Sequence, residues 1–326
     1  MILVTGANGF LGSFICRELI LTGHEVKALI REDSNTDRID DIMGLMKICK
    51  ADLHDLPALD TCFSEVDTVI HCAARISFQG HDCDELIYSN VESTRNVVNL
   101  SLKYGINRFI HISSTAAIGR SRQEETLNEE NQWQESRHSS CYGKSKYLSE
   151  LEVWRGKSEG LNVTVLNPSV IIGRNTLGES SGLLLDYATQ PHKFYPTGDL
   201  NYVDVRDVVK IALRFLDHTS DKDKFIINGG NVSYKDFFTR IAELVGIKPP
   251  ALAAEGYKLK AALWGDQLRS LFTGSQRMLS REMIRTASSK LYFDNERIRT
   301  ELNYTFIPLM ESLKWIYSDP DPVEKK

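Results

Sequence analysis

Three side chains in the middle of the chain have the types and spacing that can move a proton to or from a substrate oxygen. Tyr142 and Lys146 are four residues apart, so in a helix they are neighbours on one face. A free phenol has a pKa of about 10, and a nearby ammonium lowers that pKa by stabilising the phenolate. Ser114 follows a predicted strand and offers a hydroxyl that polarises a carbonyl. The pattern is typical of general acid–base catalysis at a carbon–oxygen bond; the alternative for Tyr142 is a tyrosine packed in a core.

A glycine-rich segment at residues 5–12, with the sequence TGANGFLG, follows the first predicted strand and opens into a predicted helix. Backbone N–H groups in such a turn, at the positive end of a helix, favour a pyrophosphate. We expect Gly6 to make the turn, Gly9 to permit close approach of the ligand, and Gly12 to let helix and strand pack tightly. The segment therefore predicts a dinucleotide site.

The end of the second predicted strand favours NADP over NAD. In dinucleotide-binding folds this position reaches the adenosine ribose, and an acidic side chain there accepts from the 2′-hydroxyl. Arg31 stands at this point, and its guanidinium matches a 2′-phosphate. The alternative is that Arg31 faces solvent while Glu32 or Asp33 binds the ribose.

Short β-branched runs alternate with longer amphipathic stretches in the first two-thirds of the chain, which is typical of a parallel sheet buried on both faces. The predicted strands are Ile2–Thr5, Glu25–Ile30, Met46–Ala51, Thr68–Cys72, Arg108–Ser113 and Val163–Asn167. The predicted helices are Phe10–Thr22, Asp55–Phe63, Cys83–Tyr104 and Tyr142–Ser158, three of which are followed by the cap glycines Gly23, Gly105 and Gly160. The fold class is therefore α/β, a Rossmann-type doubly wound parallel sheet.

After Pro168 the predicted elements are shorter and mixed, which indicates a smaller C-terminal substrate lobe. They are helices at Asp207–Leu216, Tyr234–Val245, Lys258–Leu271 and Pro308–Tyr317 and a strand at Lys224–Ile227. We expect an NADP-binding Rossmann domain with the catalytic residues at 1–168, a mainly substrate-binding lobe at 169–318 with segments returning to the Rossmann core, and a flexible tail at 319–326. The polar, acidic stretch 119–140 is predicted to be a loop over the site or a solvated excursion.

The bulk composition argues against several function classes. The chain has 326 residues, 42% of them hydrophobic and 25% charged, and a formal charge of -5, so neither nucleic acid nor a membrane is an expected partner. Its six cysteines stand singly and without metal-ligand spacing, and we expect reduced thiols, a cytoplasmic protein and no metal site. The sequence begins without the pattern of an export signal, and no apolar run is long enough to span a bilayer.

Several motifs lie in register with the predicted elements: TGANGFLG at 5–12, Asp52-Leu53, HCAA at 71–74, Asn90-Val91, Ser113-Ser114-Thr115, YGKSK at 142–146, Asn167-Pro168-Ser169 and YVDVRD at 202–207. Together they resemble the extended short-chain dehydrogenase/reductase family, also called the epimerase/dehydratase superfamily, in its dihydroflavonol-reductase-like branch. The resemblance implies an NADP-dependent oxidoreductase that reduces a ketone or aldehyde, or oxidises the corresponding alcohol, with Ser114, Tyr142 and Lys146 as catalytic residues.

The glycine motif and the resemblance together imply a set of cofactor-binding residues, among which Lys146 would also bind the nicotinamide ribose. The set is Thr5, Gly6, Asn8, Gly9, Phe10, Leu11, Gly12, Arg31, Asp52, Leu53, Ala73, Ala74, Arg75, Asn90, Ile112, Tyr142, Lys146, Asn167, Pro168, Ser169 and Val170. Arg75 replaces a glycine that is often found at its place in the family.

Three of these assignments have alternatives. Ser114 is favoured over Ser113 and Thr115 by its place in the family pattern, and Thr115 is the reserve. The resemblance gives Asp52 the adenine amino group, and the alternative is capping of the following turn. Asn90 resembles the asparagine that braces the active-site helix, and the alternative is an ordinary helix-surface residue.

Asp204 and Asp207, by contrast, are expected to be structural, as turn and N-cap groups.

The substrate is less well defined by the sequence. The segment before YVDV lacks the arginine with which nucleotide-sugar enzymes of the family bind a diphosphate, which favours a simpler carbonyl substrate. A nucleotide-sugar epimerase or dehydratase and a non-catalytic NADP-binding regulatory protein are the alternatives. Candidate substrate residues are Phe78, Ser114, Thr115, Trp133, Phe194 and Tyr195, although each aromatic ring could equally belong to a core. The resemblance also implies a homodimer through the helices at 83–104 and 142–158.

Overall fold

Short apolar strands build the sheets of the protein. The computed structural model describes residues 1–76, 83–119, 126–135, 140–176, 180–254 and 287–318. Within these ranges the strands are β1 (Ile2–Thr5), β2 (Val26–Ile30), β3 (Lys47–Lys50), β4 (Thr68–His71), β5 (Arg108–Ile112), β6 (Thr126–Leu127), β7 (Val163–Pro168), β8 (Val170–Ile172), β9 (Phe194–Pro196), β10 (Asp199–Asp204), β11 (Lys224–Ile227), β12 (Gly230–Ser233), β13 (Leu252–Ala254) and β14 (Tyr292–Phe293). Seven of them form one parallel sheet in the order β11-β7-β5-β4-β1-β2-β3.

Helices cover both faces of this sheet. Over the same ranges they are α1 (Phe10–Leu21), α2 (Leu56–Thr61), α3 (Cys83–Lys103), α4 (Cys141–Ser158), α5 (Ser180–Ala188), α6 (Val205–Arg214), α7 (Tyr234–Val245), α8 (Glu296–Leu302) and α9 (Leu309–Tyr317). Because side chains alternate along a strand, Val4 packs against α1 and α6 while Leu3 packs against α2, α3 and α4. The result is a Rossmann-type α/β fold with a core on each side of the sheet.

A second group of elements forms a smaller packing unit. The strands β12, β10 and β8 make a three-stranded sheet, and β13 pairs with β9. A separate apolar cluster joins Leu185 of α5, Phe237 of α7 and Leu313 of α9 to these strands. By contrast β11 pairs with β7, so this later segment of the chain joins the main sheet.

Most predicted elements of the first 168 residues agree with the observed ones to within one or two residues at each end. Gly23, Gly105, Gly160 and Gly246 all have positive φ, as expected of helix stops. The predicted helix 258–271 and the tail 319–326 lie outside the described residues. The sequence patterns missed α5, α8 and the strands of the smaller unit. Most of these strands have three or four residues, which carry too little periodicity to be recognised, whereas β10 has six.

None of the helices in the described ranges is both long and apolar enough to cross a bilayer.

The prediction of six reduced thiols is wrong. Cys49 is bonded to Cys62, which joins β3 to the end of α2, and Cys83 is bonded to Cys141, which joins the first residues of α3 and α4. Only Cys16 and Cys72 are free thiols. Partners 13 and 58 residues apart in sequence have no local signature, so only the folded chain brings them together. The cysteines therefore give no support to the expected cytoplasmic location.

A row of polar side chains crosses the sheet just below the carboxyl ends of its central strands. Thr5, His71 and His111 are in register on β1, β4 and β5, so all three point to the α3 and α4 side. Thr5 Oγ1 accepts from the N–H of Ala73 at 3.2 Å and donates to His71 Nδ1 at 2.7 Å. The proton of His71 is then on Nε2, which donates to Thr94 Oγ1 on α3 at 3.2 Å.

Both imidazoles in this row are fully buried and neutral. Burial, with the nearby Lys146 charge, lowers the pKa of His71 to about 3 and holds the pKa of His111 well below its ordinary value. Within the described part of the chain, neither ring nitrogen of His111 has a hydrogen-bond partner. In the folded protein these two histidines therefore stay unprotonated at pH values at which they would bind a proton in the unfolded chain.

We predict that the unreduced protein, once denatured, has two titratable thiols and that prior treatment with a thiol reductant raises the number to six. The reason is that four of the cysteines are paired. The measurement is thiol titration in denaturant with and without prior reduction, with peptide mapping of the two cross-links. The Cys83→Ser/Cys141→Ser variant should lose about 2 to 4 kcal/mol of unfolding free energy, the usual effect of opening a long loop. Six free thiols before reduction would contradict the pairing.

Acid should destabilise the protein through its buried histidines, and His111→Leu should reduce that effect. A group whose folded pKa is depressed contributes stability above its unfolded pKa of about 6.5, and this stability is lost as the pH falls. Between pH 8 and pH 5 the variant should lose about 2 kcal/mol less unfolding free energy than the wild type. Urea titrations across this range give the measurement. The exposed His24→Gln is the control, and equal losses in His111→Leu and wild type would refute the argument.

Candidate active site

The turn between β1 and α1 forms a backbone cradle that only glycine allows. Gly6 has a φ of +66°, and a Cβ on it would lie 2.9 Å from the Cα of Ala73. A Cβ on Gly12 would lie 2.1 Å from the carbonyl oxygen of Gly6. Gly9 is the N-cap residue of α1, and within this described helix start no side chain bonds to the first turn and no acidic residue stands in it. The first N–H groups of α1, from Phe10 onward, are thus available to an anion.

Residues after β4 close one side of the cradle. Ala73 contacts Gly6, and the backbone of Arg75 is bonded in both directions to the Asn90 side chain of α3, with distances of 2.7 Å to Oδ1 and 2.9 Å from Nδ2. Asn90 Nδ2 also lies 3.0 Å from Ser145 Oγ, and that hydroxyl donates to the carbonyl oxygen of Tyr142. Asn90 therefore connects the segment 73–75 to the first turns of α4. Its position is an interior one, not the helix surface.

Charged side chains gather where β2 and β3 end. Arg31 is exposed directly after β2, and its charge contributes to the lowered pKa of Asp52, whose largest cause is the N–H of His54. Asp52 Oδ1 accepts that N–H at 2.8 Å, so the carboxylate caps its own turn. Glu32 is paired with Lys50 at 2.9 Å.

The loop that follows Arg31 is tied to the glycine cradle, because Asn8 Nδ2 donates to the carbonyl oxygen of Asn35 at 2.8 Å. The segment after β3 is bonded to α3, because Asn96 Nδ2 donates to the carbonyl oxygen of Leu53 at 2.9 Å.

The first turns of α4 carry Tyr142 and Lys146 on one face. Ser140 caps the helix by accepting from the N–H of Gly143, and a Cβ on Gly143 would lie 2.6 Å from the carbonyl oxygen of Ala116, so the helix starts against the turn that follows β5. Tyr142 is half-buried. Lys146 is 3% exposed, and its Nζ donates to the carbonyl oxygen of Ile112 at 2.7 Å.

Burial lowers the pKa of Lys146 to about 8, against the opposing influence of Glu150. An ammonium with this pKa is still mainly protonated at neutral pH.

The three hydroxyls after β5 have different surroundings. Ser113 is buried, and its hydroxyl donates to Glu150. Ser114 is half-buried, and its Oγ accepts the N–H of Ala116 at 3.1 Å. Thr115 is buried at the start of the short 3₁₀ turn Thr115–Ala117. Among the three, Ser114 is the partly exposed one, and its hydroxyl hydrogen is not used in the bond from the N–H of Ala116.

The end of β7 lies beside Ser114. Asn167 Nδ2 donates to the carbonyl oxygen of Ser114 at 2.9 Å, and the same nitrogen donates to Glu150 at 2.6 Å. Pro168 ends β7, the N–H of Ser169 donates to the carbonyl oxygen of Ile227, and Val170, which begins β8, is 38% exposed.

The expected substrate aromatics are not gathered at one place by the described contacts. Phe78 lies outside the described residues. Trp133 stacks on Tyr147 of α4, with ring centroids 4.9 Å apart. Phe194 and Tyr195 lie on β9, where Phe194 is 39% exposed and Tyr195 packs against the apolar cluster of the smaller unit.

Part of the acidic stretch 119–140 is ordered against the sheet and is not a solvated excursion. β6 pairs with β14, and Glu129, its side chain 4% exposed, accepts the N–H of Ile226 at 2.8 Å on the edge strand β11. Burial raises the pKa of Glu129. This carboxylate satisfies a backbone donor at the sheet edge, a role that composition alone does not indicate.

Asp204 is the N-cap of α6, as predicted. Asp207 is also structural, as predicted, but not as a turn or N-cap group, because its buried carboxyl accepts from Tyr304 Oη at 2.8 Å and from the N–H of Ile307 at 3.0 Å. Burial raises its pKa to about 6.

Sequence analysis also missed Glu150, which is 1% exposed and bonded to three residues around the site. A signal was available, since Glu150 follows Lys146 by four residues and continues the face of Tyr142 and Lys146.

Comparisons with known proteins agree with this arrangement. A sequence model of the NAD dependent epimerase/dehydratase family matches residues 2–230. The chain is 29% identical over 304 residues to sterol demethylase protein B of Methylococcus capsulatus, with 92% of each chain covered. It is 26% identical over 310 residues to a candidate dihydroflavonol 4-reductase of Synechocystis sp., with 92% of this chain and 88% of the other covered.

Among solved structures, the crystal structure of gox2253 superposes with a TM-score of 0.82 at 27% identity, covering 97% of this chain and 96% of the other. The strand order, the glycine cradle and the family match lead to one conclusion. The chain belongs to the NAD-dependent epimerase/dehydratase family, within the extended short-chain dehydrogenase/reductase superfamily.

Proposed function

We propose that the protein is an NADP(H)-dependent oxidoreductase that reduces a ketone or aldehyde, or oxidises the corresponding alcohol, with Ser114, Tyr142 and Lys146 as catalytic residues. The observation that carries the proposal is the Lys146 ammonium, buried against Ile112 one turn after the half-buried Tyr142 and at the same sheet edge as the glycine cradle. The similarity to a candidate dihydroflavonol 4-reductase supports a reductase.

The described residues fit a dinucleotide. The open first turn of α1 would bind the pyrophosphate, the small Ala73 and Ala74 would let it approach, and Lys146 would bind the nicotinamide ribose. When bound, the reduced cofactor supplies the hydride that adds to the carbonyl carbon.

The chain's own groups then act on the substrate oxygen. Ser114 donates a hydrogen bond to this oxygen and stabilises the negative charge that develops on it. The Tyr142 hydroxyl gives its proton to the oxygen, so that the carbonyl becomes an alcohol and the phenol a phenolate. The Lys146 ammonium stabilises that phenolate, and in the oxidative direction the same groups take the proton back.

Two contacts support NADP over NAD. Arg31 is exposed at the end of β2, where a 2′-phosphate would lie, and Glu32 is engaged by Lys50 and is therefore a weaker competitor for the ribose hydroxyls. The bond between Asn8 and Asn35 fixes the loop after Arg31 relative to the cradle.

A second substrate class, a sterol, is favoured by the similarity to the protein called sterol demethylase protein B, which extends over 92% of both chains. The same catalytic groups serve oxidation of a ring alcohol and reduction of a ring ketone.

The proposal includes a homodimer through α3 and α4. Their outer faces carry Tyr88, 65% exposed, and Leu151, 43% exposed, which a partner would cover.

Tyr142→Phe should abolish carbonyl-dependent NADPH oxidation, lowering kcat by about 10² to 10⁴, because the proton donor is lost while the ring remains. The measurement is NADPH absorbance decay with a panel of aryl ketones, aldehydes, flavanonols and sterol ketones. Tyr104→Phe, directly after the last residue of α3 and 38% exposed, is the matched control and should keep wild-type rates. Full activity in Tyr142→Phe, or wild-type binding of NADPH without turnover of any carbonyl, would reject the proposed chemistry.

Arg31→Asp should weaken NADPH binding by roughly 10- to 100-fold, since a carboxylate would face the 2′-phosphate, while NADH binding stays equal or improves. Calorimetric titration of both cofactors measures this without turnover. Lys47→Asp, which reverses one positive charge in the same way at the start of β3, where Lys47 is paired with Glu65, is the control. Tighter binding of NADH than NADPH by the wild type would overturn the assignment.

A further inference from the structure

A carboxylate with no assigned role lies one helical turn beyond Lys146. Glu150 Oε1 accepts from Ser113 Oγ and from Asn167 Nδ2, and Oε2 is paired with Lys224 Nζ of β11 at 2.8 Å. Its side chain is 1% exposed. Burying a carboxylate is costly unless it is paired and fully hydrogen-bonded, and here it is both.

The bonds of Glu150 lead to the proposed catalytic residues. Asn167 Nδ2 donates a hydrogen bond to Glu150 and a second one to the carbonyl oxygen of Ser114. Ser113, the other donor, directly precedes Ser114. Since Tyr142, Lys146 and Glu150 repeat every four residues along α4, the carboxylate shares a helix face with the other two groups.

The buried histidines and free thiols around Lys146 carry no charge near neutral pH. The pKa of His71 on β4 is lowered to about 3, and that of His111 on β5 is also far below its usual value, so both rings are neutral. Burial raises the pKa of the Cys72 thiol, and of Cys16 behind it on α1 to about 12, so both remain protonated.

Two further elements face this region. The α3 residues bonded here, Asn90 and Thr94, are uncharged, and on β11 the ammonium of Lys224 is paired with Glu150. Within the described residues, Glu150 is therefore the negative charge that offsets the cost of burying the Lys146 ammonium.

We propose that Glu150 is a positioning residue for the reaction, which fixes the strand end bearing Ser114 and keeps the Lys146 ammonium charged beside Tyr142. The inference rests on the proposed function for its catalytic meaning, but its electrostatic part concerns the protein alone. Lys224 limits the effect, because its pairing partly neutralises the same carboxylate.

Glu150→Gln tests the charge while keeping an acceptor for Ser113 and Asn167. Removing the negative charge should lower the pKa of Lys146 by about 0.5 to 1. Lys224→Met leaves the carboxylate unpaired and should raise the pKa of Lys146. If Glu150 had a purely structural role, the two substitutions would not shift the pKa of Lys146 in opposite directions. The double variant Glu150→Gln/Lys224→Met removes both members of the Glu150–Lys224 ion pair, so neither is left buried without the other. It tests the Gln substitution if the single variant Glu150→Gln fails to fold.

The first readout is NMR titration of cofactor-free protein labelled with 15N and 13C in lysine, with the Lys146 signal identified by its loss in Lys146→Met. The second is the pH profile of carbonyl reduction, whose alkaline limb should move to lower pH in Glu150→Gln and to higher pH in Lys224→Met. Glu152→Gln is the matched control, because Glu152 is on the same helix but is paired with Arg95 and Arg155. It should shift neither readout.

The outcomes separate the two proposals. Opposite shifts of the Lys146 signal support the inference even if no carbonyl substrate is turned over, in which case it is the proposed reaction that fails. An unmoved Lys146 signal in both Glu150→Gln and Lys224→Met overturns the inference, whatever the activity of the wild type.

Discussion

The buried ammonium of Lys146 is the constraint on which the site is built. A lysine at 3% exposure loses its hydration, and burial alone would favour the neutral amine. The fold compensates with the carbonyl oxygen of Ile112 at 2.7 Å and the nearby Glu150, and it surrounds the group with imidazoles that stay neutral. The carboxylate is in turn balanced by Lys224. The charges here must therefore be considered together, since a change in one alters the protonation of the others.

Polar bonds join the glycine cradle to the first turns of α4, which bear the proposed catalytic residues. Thr5, directly before the glycine turn, is bonded to His71, which is bonded to Thr94 on α3. The Thr94 hydroxyl donates to the carbonyl oxygen of Asn90, whose side chain reaches Ser145 on α4. The cradle and the first turns of α4 are thus held at a fixed distance by buried bonds, a rigidity that the proposed hydride transfer would require.

A disulfide joins the two helices α3 and α4. The bond between Cys83 and Cys141 joins the starts of α3 and α4, and Cys141 directly precedes Tyr142. Ion pairs also connect the two helices, such as the pair of Arg95 on α3 with Glu152 on α4. A cross-link at one end and buried polar contacts further along leave α4 little freedom to turn, so the face with Tyr142, Lys146 and Glu150 remains directed at the sheet edge.

The main sheet, the glycine turn and the pair Tyr142 and Lys146 can be predicted from the sequence, because they depend on local periodicity, on glycine conformation and on spacing along one helix. Gly6 and Gly12 are where only glycine fits, and the strands β1 to β5 and β7 lie within one or two residues of the prediction. The contacts between residues distant in sequence are seen only in the tertiary structure. It paired Cys83 with Cys141, brought Lys224 to Glu150 across 74 residues, placed Glu129 on the edge of β11, and turned Asp207 into a buried acceptor. Local patterns cannot show these partners, because a side chain's charge state and bonds depend on which strand ends meet at the sheet edge.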